Sequence, residues 1–61
     1  MEKFFVVSGY HKVNGWVSAT FKALDEAEQY FDSHGSEYTL CELKEAYEGK
    51  GYYYSQSLKI K

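Results

Sequence analysis

The dipeptide Asn14-Gly15, set between Val13 and Trp16 with strand-like runs on both sides, constrains this chain more than any other feature. A type I′ turn needs positive φ at both central residues, and Asn-Gly supplies that most readily. With such a two-residue loop, Val13 faces Trp16 across a hairpin, and alternation sorts the flanking side chains. One face then holds Phe4, Val6, Ser8, Tyr10 and Lys12 with Val17, Ala19, Phe21 and Ala23. The other holds Phe5, Val7, Gly9, His11 and Val13 with Trp16, Ser18, Thr20 and Lys22. The first face is the more continuous, and its small Ala19 and Ala23 leave room for a helix. The second leaves Phe5, Val7, Val13 and Trp16 as a spare apolar set. Unless the sheet curls over to cover it, such a set marks a homodimer contact or a partner surface with Trp16 as anchor.

A short helix follows. Asp25 reads as its N-cap, and Glu28 three residues on completes a capping box. Asp25, Glu26 and Glu28 also suit the positive end of the helix dipole. Ala27, Tyr30 and Phe31 form one apolar stripe at i, i+3 and i+4, and His34-Gly35 reads as a last turn with its C-cap. A helix this short is not stable alone, so Tyr30 and Phe31 must pack onto the sheet.

The remainder reads as a second hairpin turning at Gly49-Lys50, or through the wider Glu48–Gly51 loop. Either gives Thr39, Cys41, Leu43, Glu45 and Tyr47 a common face with Tyr52, Tyr54, Gln56, Leu58 and Ile60. The opposite face is mostly polar, as a sheet with one wet side requires. A helix over Leu40–Tyr47 competes, since Leu40, Leu43 and Tyr47 also fit a 3.6-residue period. The strand reading is adopted. The expected architecture is a single α+β domain of order β-β-α-β-β: two hairpins flanking one short helix, which lies on one face of a single sheet.

At 61 residues, a chain buries only about 60% of the surface its unfolded form exposes. That leaves little for a closed pocket of roughly 300 Å³ or more, so no enzyme is expected. The single cysteine, Cys41, cannot form an intrachain disulfide and suits a reducing compartment, so a cytoplasmic location is expected. No run approaches the ~20 apolar residues of a membrane span. His11, His34 and Cys41 are the only soft metal ligands, and no pair sits at zinc-motif spacing, so no metal or cofactor is expected. Cys41 falls on the apolar side of its strand, where a thiol is usually inert. Gly49-Lys50-Gly51 lacks the glycine spacing and hydroxyl of a phosphate loop.

Charge is distributed unevenly. Eight acids face one lysine between Asp25 and Glu48, a net −7, while the rest carries six lysines and one acid, +5. Glu26, Glu28, Asp32 and Glu42 are therefore candidates for an acidic patch that docks on another protein's basic surface. Phe5, His11, Trp16 and Tyr53 are candidates for an aromatic patch. The preferred expectation is a small non-enzymatic protein-interaction module. Lysine without any arginine is compatible with an A·T-rich genome. Small Lys-only domains of this class are common among phage proteins that inhibit host enzymes or defence systems; the compartment would then be the host's cytoplasm. Two alternatives stand beside it. One is a nucleic-acid or nucleotide binder using Tyr53 and the C-terminal lysines, against which the acidic balance and the missing arginine weigh. The other is a homo-oligomeric structural subunit.

Overall fold

The computed structural model describes residues 2–61. Strand β1 (Glu2–His11) turns into β2 (Gly15–Phe21), helix α1 (Leu24–His34) follows with a single 3-10 turn at Gly35–Glu37, and β3 (Thr39–Gly49) turns into β4 (Tyr52–Ile60). The strands form one sheet in the order β2-β1-β3-β4, with every neighbouring pair antiparallel. Thr39–Gly49 is a strand, so the competing helix over Leu40–Tyr47 does not form.

The first hairpin is wider than Asn-Gly suggests. His11 pairs with Gly15, and Lys12, Val13 and Asn14 make the loop. Gly15 takes φ of 80°, but Asn14 is not among the positive-φ residues, so the type I′ requirement is unmet. The His11 ring holds the wider loop: its Nδ1 accepts the backbone N–H of Val13 at 3.2 Å and of Asn14 at 3.3 Å. The register moves by an odd number of positions, and an odd shift sends every side chain of one strand to the opposite face. Phe5 and Val7 therefore lie with Ala19 and Phe21 beneath the helix, while Phe4, Val6 and Tyr10 join Trp16, Ser18 and Thr20 on the other face.

The core is correspondingly small. Phe5, Val7, Cys41 and Leu43 from the sheet meet Ala27 and Phe31 from α1, with Phe21, Tyr30 and Tyr38 packed at the margin. Burying a side chain such as Phe31 contributes about 1.5–3 kcal/mol, and the helix depends on this stripe. Asp25 does not cap it. The N-cap is Ala23, without a side-chain bond, and Asp25 Oδ1 instead accepts the N–H of Glu26 at 3.0 Å. At the other end Gly35 stays right-handed, with φ of −59°, and the chain runs on into the 3-10 turn rather than stopping at a left-handed cap.

The second hairpin turns through Lys50-Gly51, with Gly49 opposite Tyr52. This differs from the expected register by an even step, so faces near the turn are as expected. A bulge between Leu43 and Lys44 then reverses them. Lys59 comes to the helix side, where Nζ lies 3.3 Å from Glu28 Oε2, and Ile60 pairs with Glu42 on the opposite face. Ile60 thus leaves the apolar set to which alternation had assigned it.

Candidate interaction surface

One face of the sheet carries α1, and among the described residues no further element lies on the other. Register puts Trp16, Ser18 and Thr20 of β2 on this open face, beside Phe4, Val6, Ser8 and Tyr10 of β1. Glu42, Lys44 and Ala46 of β3 follow, then Tyr53, Ser55 and Ser57 of β4. Aromatic pairs stand at opposite corners. Tyr10 and Trp16 pack edge to face, centroids 5.4 Å apart, where β1 ends and β2 begins. Phe4 and Tyr53 lie 6.4 Å apart near the β3–β4 turn. In the same half of the face, on central β3, Ala46 is fully buried. Trp16 is 68% exposed and Tyr53 57%. Hydroxyls and the Lys44–Glu42 pair, 3.8 Å apart, fill the middle. Beside Phe4 a hollow of about 230 Å³ is lined by Glu2, Lys3, Thr20, Lys22 and Glu48.

The candidate aromatic patch is only half on this face. Phe5, 5% exposed, is core. His11 lies on the helix side, where it holds the hairpin loop and packs edge-on against Tyr38 at 5.5 Å. Both corrections follow from the odd register shift. The same shift hid Tyr10, Phe4 and Val6, which sequence alternation had placed under the helix. The signal that could have found them is His11 itself, a side-chain acceptor positioned to favour a longer loop.

The candidate acids do not converge either. Glu26 lines a cleft of about 310 Å³ with Phe21, Gln29, Tyr30, Ser33 and His34. Glu28 is paired with Lys59 of β4. Asp32 is exposed one turn beyond Glu28. Glu42 sits across the sheet from all three, against Lys44.

Tyr52 and Tyr54, expected to pack inside, are exposed because α1 lies over β1, β2 and β3 and stops short of β4. The uncovered part of the helix side carries a polar cluster. Lys3 Nζ lies 3.2 Å from Glu45 Oε2, the Tyr47 hydroxyl donates to Glu45 Oε1 at 2.8 Å, and the Tyr54 hydroxyl donates to Gln56 at 3.2 Å. The Tyr47 bond, then Lys3, holds the Glu45 carboxyl below its ordinary range, and the same bond raises the Tyr47 phenol. Tyr53 and the C-terminal lysines stay apart: Tyr53 is on the open face near the turn, whereas Lys59 and Lys61 reach over the helix side, with Lys61 Nζ 5.0 Å from the Phe31 ring centre.

Among the described residues, no three His, Cys, Asp or Glu side chains gather as a metal site. Burial pushes the Cys41 thiol up, away from the nucleophilic thiolate. Among the described residues, no helix is long and apolar enough to cross a membrane.

Compared with known proteins, the chain matches no family model, no curated protein and no solved structure. What fold and surface define is a class: a small α+β domain with one open four-stranded antiparallel sheet, one helix on its back, and an aromatic-cornered free face.

Proposed function

We propose that this protein is a non-enzymatic protein-interaction module that docks onto another protein through its open sheet face. The observation that carries this reading is the face itself, uncovered across all four strands and holding Trp16, Tyr10, Phe4 and Tyr53 at two of its corners. Buried aromatic anchors within a polar rim are how compact interfaces concentrate their binding energy. The hydroxyls between the two corners, Ser8, Ser18, Thr20, Ser55 and Ser57, supply hydrogen-bonding groups rather than apolar area. The acidic helix on the far side adds a field that speeds encounter with a basic partner, not contacts of its own. Such a module acts by occupying its partner's surface, as an inhibitor does.

The test is a pull-down with wild type, Trp16→Ala, Tyr53→Ala and a Glu26/Asp32 charge reversal, followed by amide exchange of the captured complex. The aromatic variants are expected to lose the captured protein, and the complex to protect β1 and β2 amides. The charge reversal is expected to slow association while leaving dissociation unchanged. Equal capture by all four proteins, or protection confined to α1, rejects the reading.

A further inference from the structure

The two edges of the sheet are not alike. β4 carries Lys59 within the strand, and its ladder with β3 is interrupted between Leu43 and Lys44. A charge and a bulge are two of the devices that keep an edge strand from pairing with another chain. β2 has neither. Gly15–Phe21 contains no charged residue and no proline. Its seven pairs with β1 run without a register shift. Along its outer side, alternate backbone N–H and C=O groups have no strand to meet.

The helix flank beside this edge is also unfinished. β2 ends at Phe21 and α1 begins at Leu24, so α1 runs back along β2 in the opposite direction. Phe21 and the outer residues of α1 border the cleft of about 310 Å³, with Glu26 toward the start of the helix and His34 at its end. Glu26 forms no ion pair among the described residues.

We infer that a second copy of this chain occupies the edge. β2 pairs antiparallel with the partner's β2 about a two-fold axis at Ser18, making one sheet of both copies with the two helices on the same side. A two-fold contact must be self-complementary, and this one is. On the open face, Trp16 lies opposite the partner's Thr20, an aromatic and β-branched cross-strand pair of the stabilising kind. On the helix side the antiparallel run of α1 and β2 turns the Glu26 end of one helix toward the partner's His34 end, and the reverse; His34 Nδ1 there also lies 3.4 Å from Glu37 of its own chain. The partner's flank completes the cleft that one copy leaves open. This contact uses the strand edge, whereas the proposed docking surface is the face, which the dimer widens.

The test is sedimentation of the isolated protein across a concentration series, from about micromolar to about millimolar, without any partner. Stable interfaces bury about 800 Å² per side, and one strand edge with one helix flank is smaller, so the dimer is expected to dissociate on dilution. Ser18→Lys sets like charges together at the axis and is expected to weaken self-association by up to about fivefold. Ser57→Lys, the matching change on β4, is expected to leave it intact. Both positions are exposed, and circular dichroism checks that each variant folds. Independently of any variant, outward β2 amides of wild type should gain exchange protection as concentration rises. A wild type that stays monomeric throughout overturns the inference. So does self-association lost with Ser57→Lys but kept with Ser18→Lys, or β2 protection that ignores concentration. None of these outcomes depends on whether the open face captures another protein.

Discussion

Tyr10 and Trp16 face each other across the β1–β2 ladder, their rings 5.4 Å apart at 71°. Edge-to-face pairs are worth about 0.5–1.5 kcal/mol beyond area burial. A double-mutant cycle with Tyr10→Ala and Trp16→Ala, read by urea unfolding, should return a coupling energy in that range. The pair lies at the sheet margin, so each single variant should still fold. Coupling indistinguishable from zero would show that the Tyr10 ring does not hold Trp16.

Gly9 sits at a close backbone approach in the fold's interior. A Cβ there would stand 2.9 Å from Tyr38 Cβ and 3.2 Å from Cys41 Cα. Neither neighbour is the end of a flexible side chain, so relief requires shifting β3. Gly9→Ala should cost about 1–3 kcal/mol, measured as a lower urea midpoint with unchanged slope. An unperturbed midpoint would mean that β1 and β3 are not this close.

Leu40 carries the opposite kind of strain. Its φ is 59°, the only positive value at a non-glycine residue among those described, and its side chain is 63% exposed. It sits where the β1–β3 register shifts between Ser8 and Tyr10. Left-handed backbone costs an L-residue about 1–2 kcal/mol, and glycine returns part of the gain through unfolded-state entropy. Leu40→Gly should therefore stabilise by about 0.5–1 kcal/mol, while Leu40→Ala should not. Thermal melts of the two variants separate them, and equal or inverted shifts would count against the strained geometry.

The Tyr30 and Tyr38 hydroxyls lie 3.0 Å apart. That bond first, then burial, raises the Tyr38 phenol from 10.0 to about 12. In the unfolded chain Tyr38 loses its proton near 10. Between about 10 and about 12 the unfolded state binds fewer protons, so stability falls as pH rises through this window and is intact below it. Tyr30→Phe removes the bond and should flatten that alkaline decline, followed as unfolding midpoint against pH. Parallel declines in variant and wild type would exclude the pair as its source.

The order of elements was legible because hairpin cues and the Ala27–Tyr30–Phe31 stripe are local. Strand order was not, since nothing in a strand's own residues says that β1 rather than β2 meets β3. The faces of β1 depended on one loop. Asn14-Gly15 favours the tight turn by backbone preference, but His11 offers the wider loop two side-chain bonds, and the side chain prevailed. The β3–β4 bulge had no comparable cue, so Lys59 and Ile60 exchanged sides unannounced. Trp16 and Tyr53 stand exposed, as alternation expects, because large aromatics on a thin sheet have few places to hide. Phe5 was misplaced because burial followed parity, not size.

The central seam joins β1 to β3, and its pairs reach from Glu2 across to Glu48. Each ribbon beside it can zip within about 1–10 μs, yet a lone two-stranded ribbon is at best marginal in water. Neither half therefore has a resting state of its own. Folding waits on clasping two remote segments while the helix is held against both, and any loosening of that clasp releases the entire molecule at once.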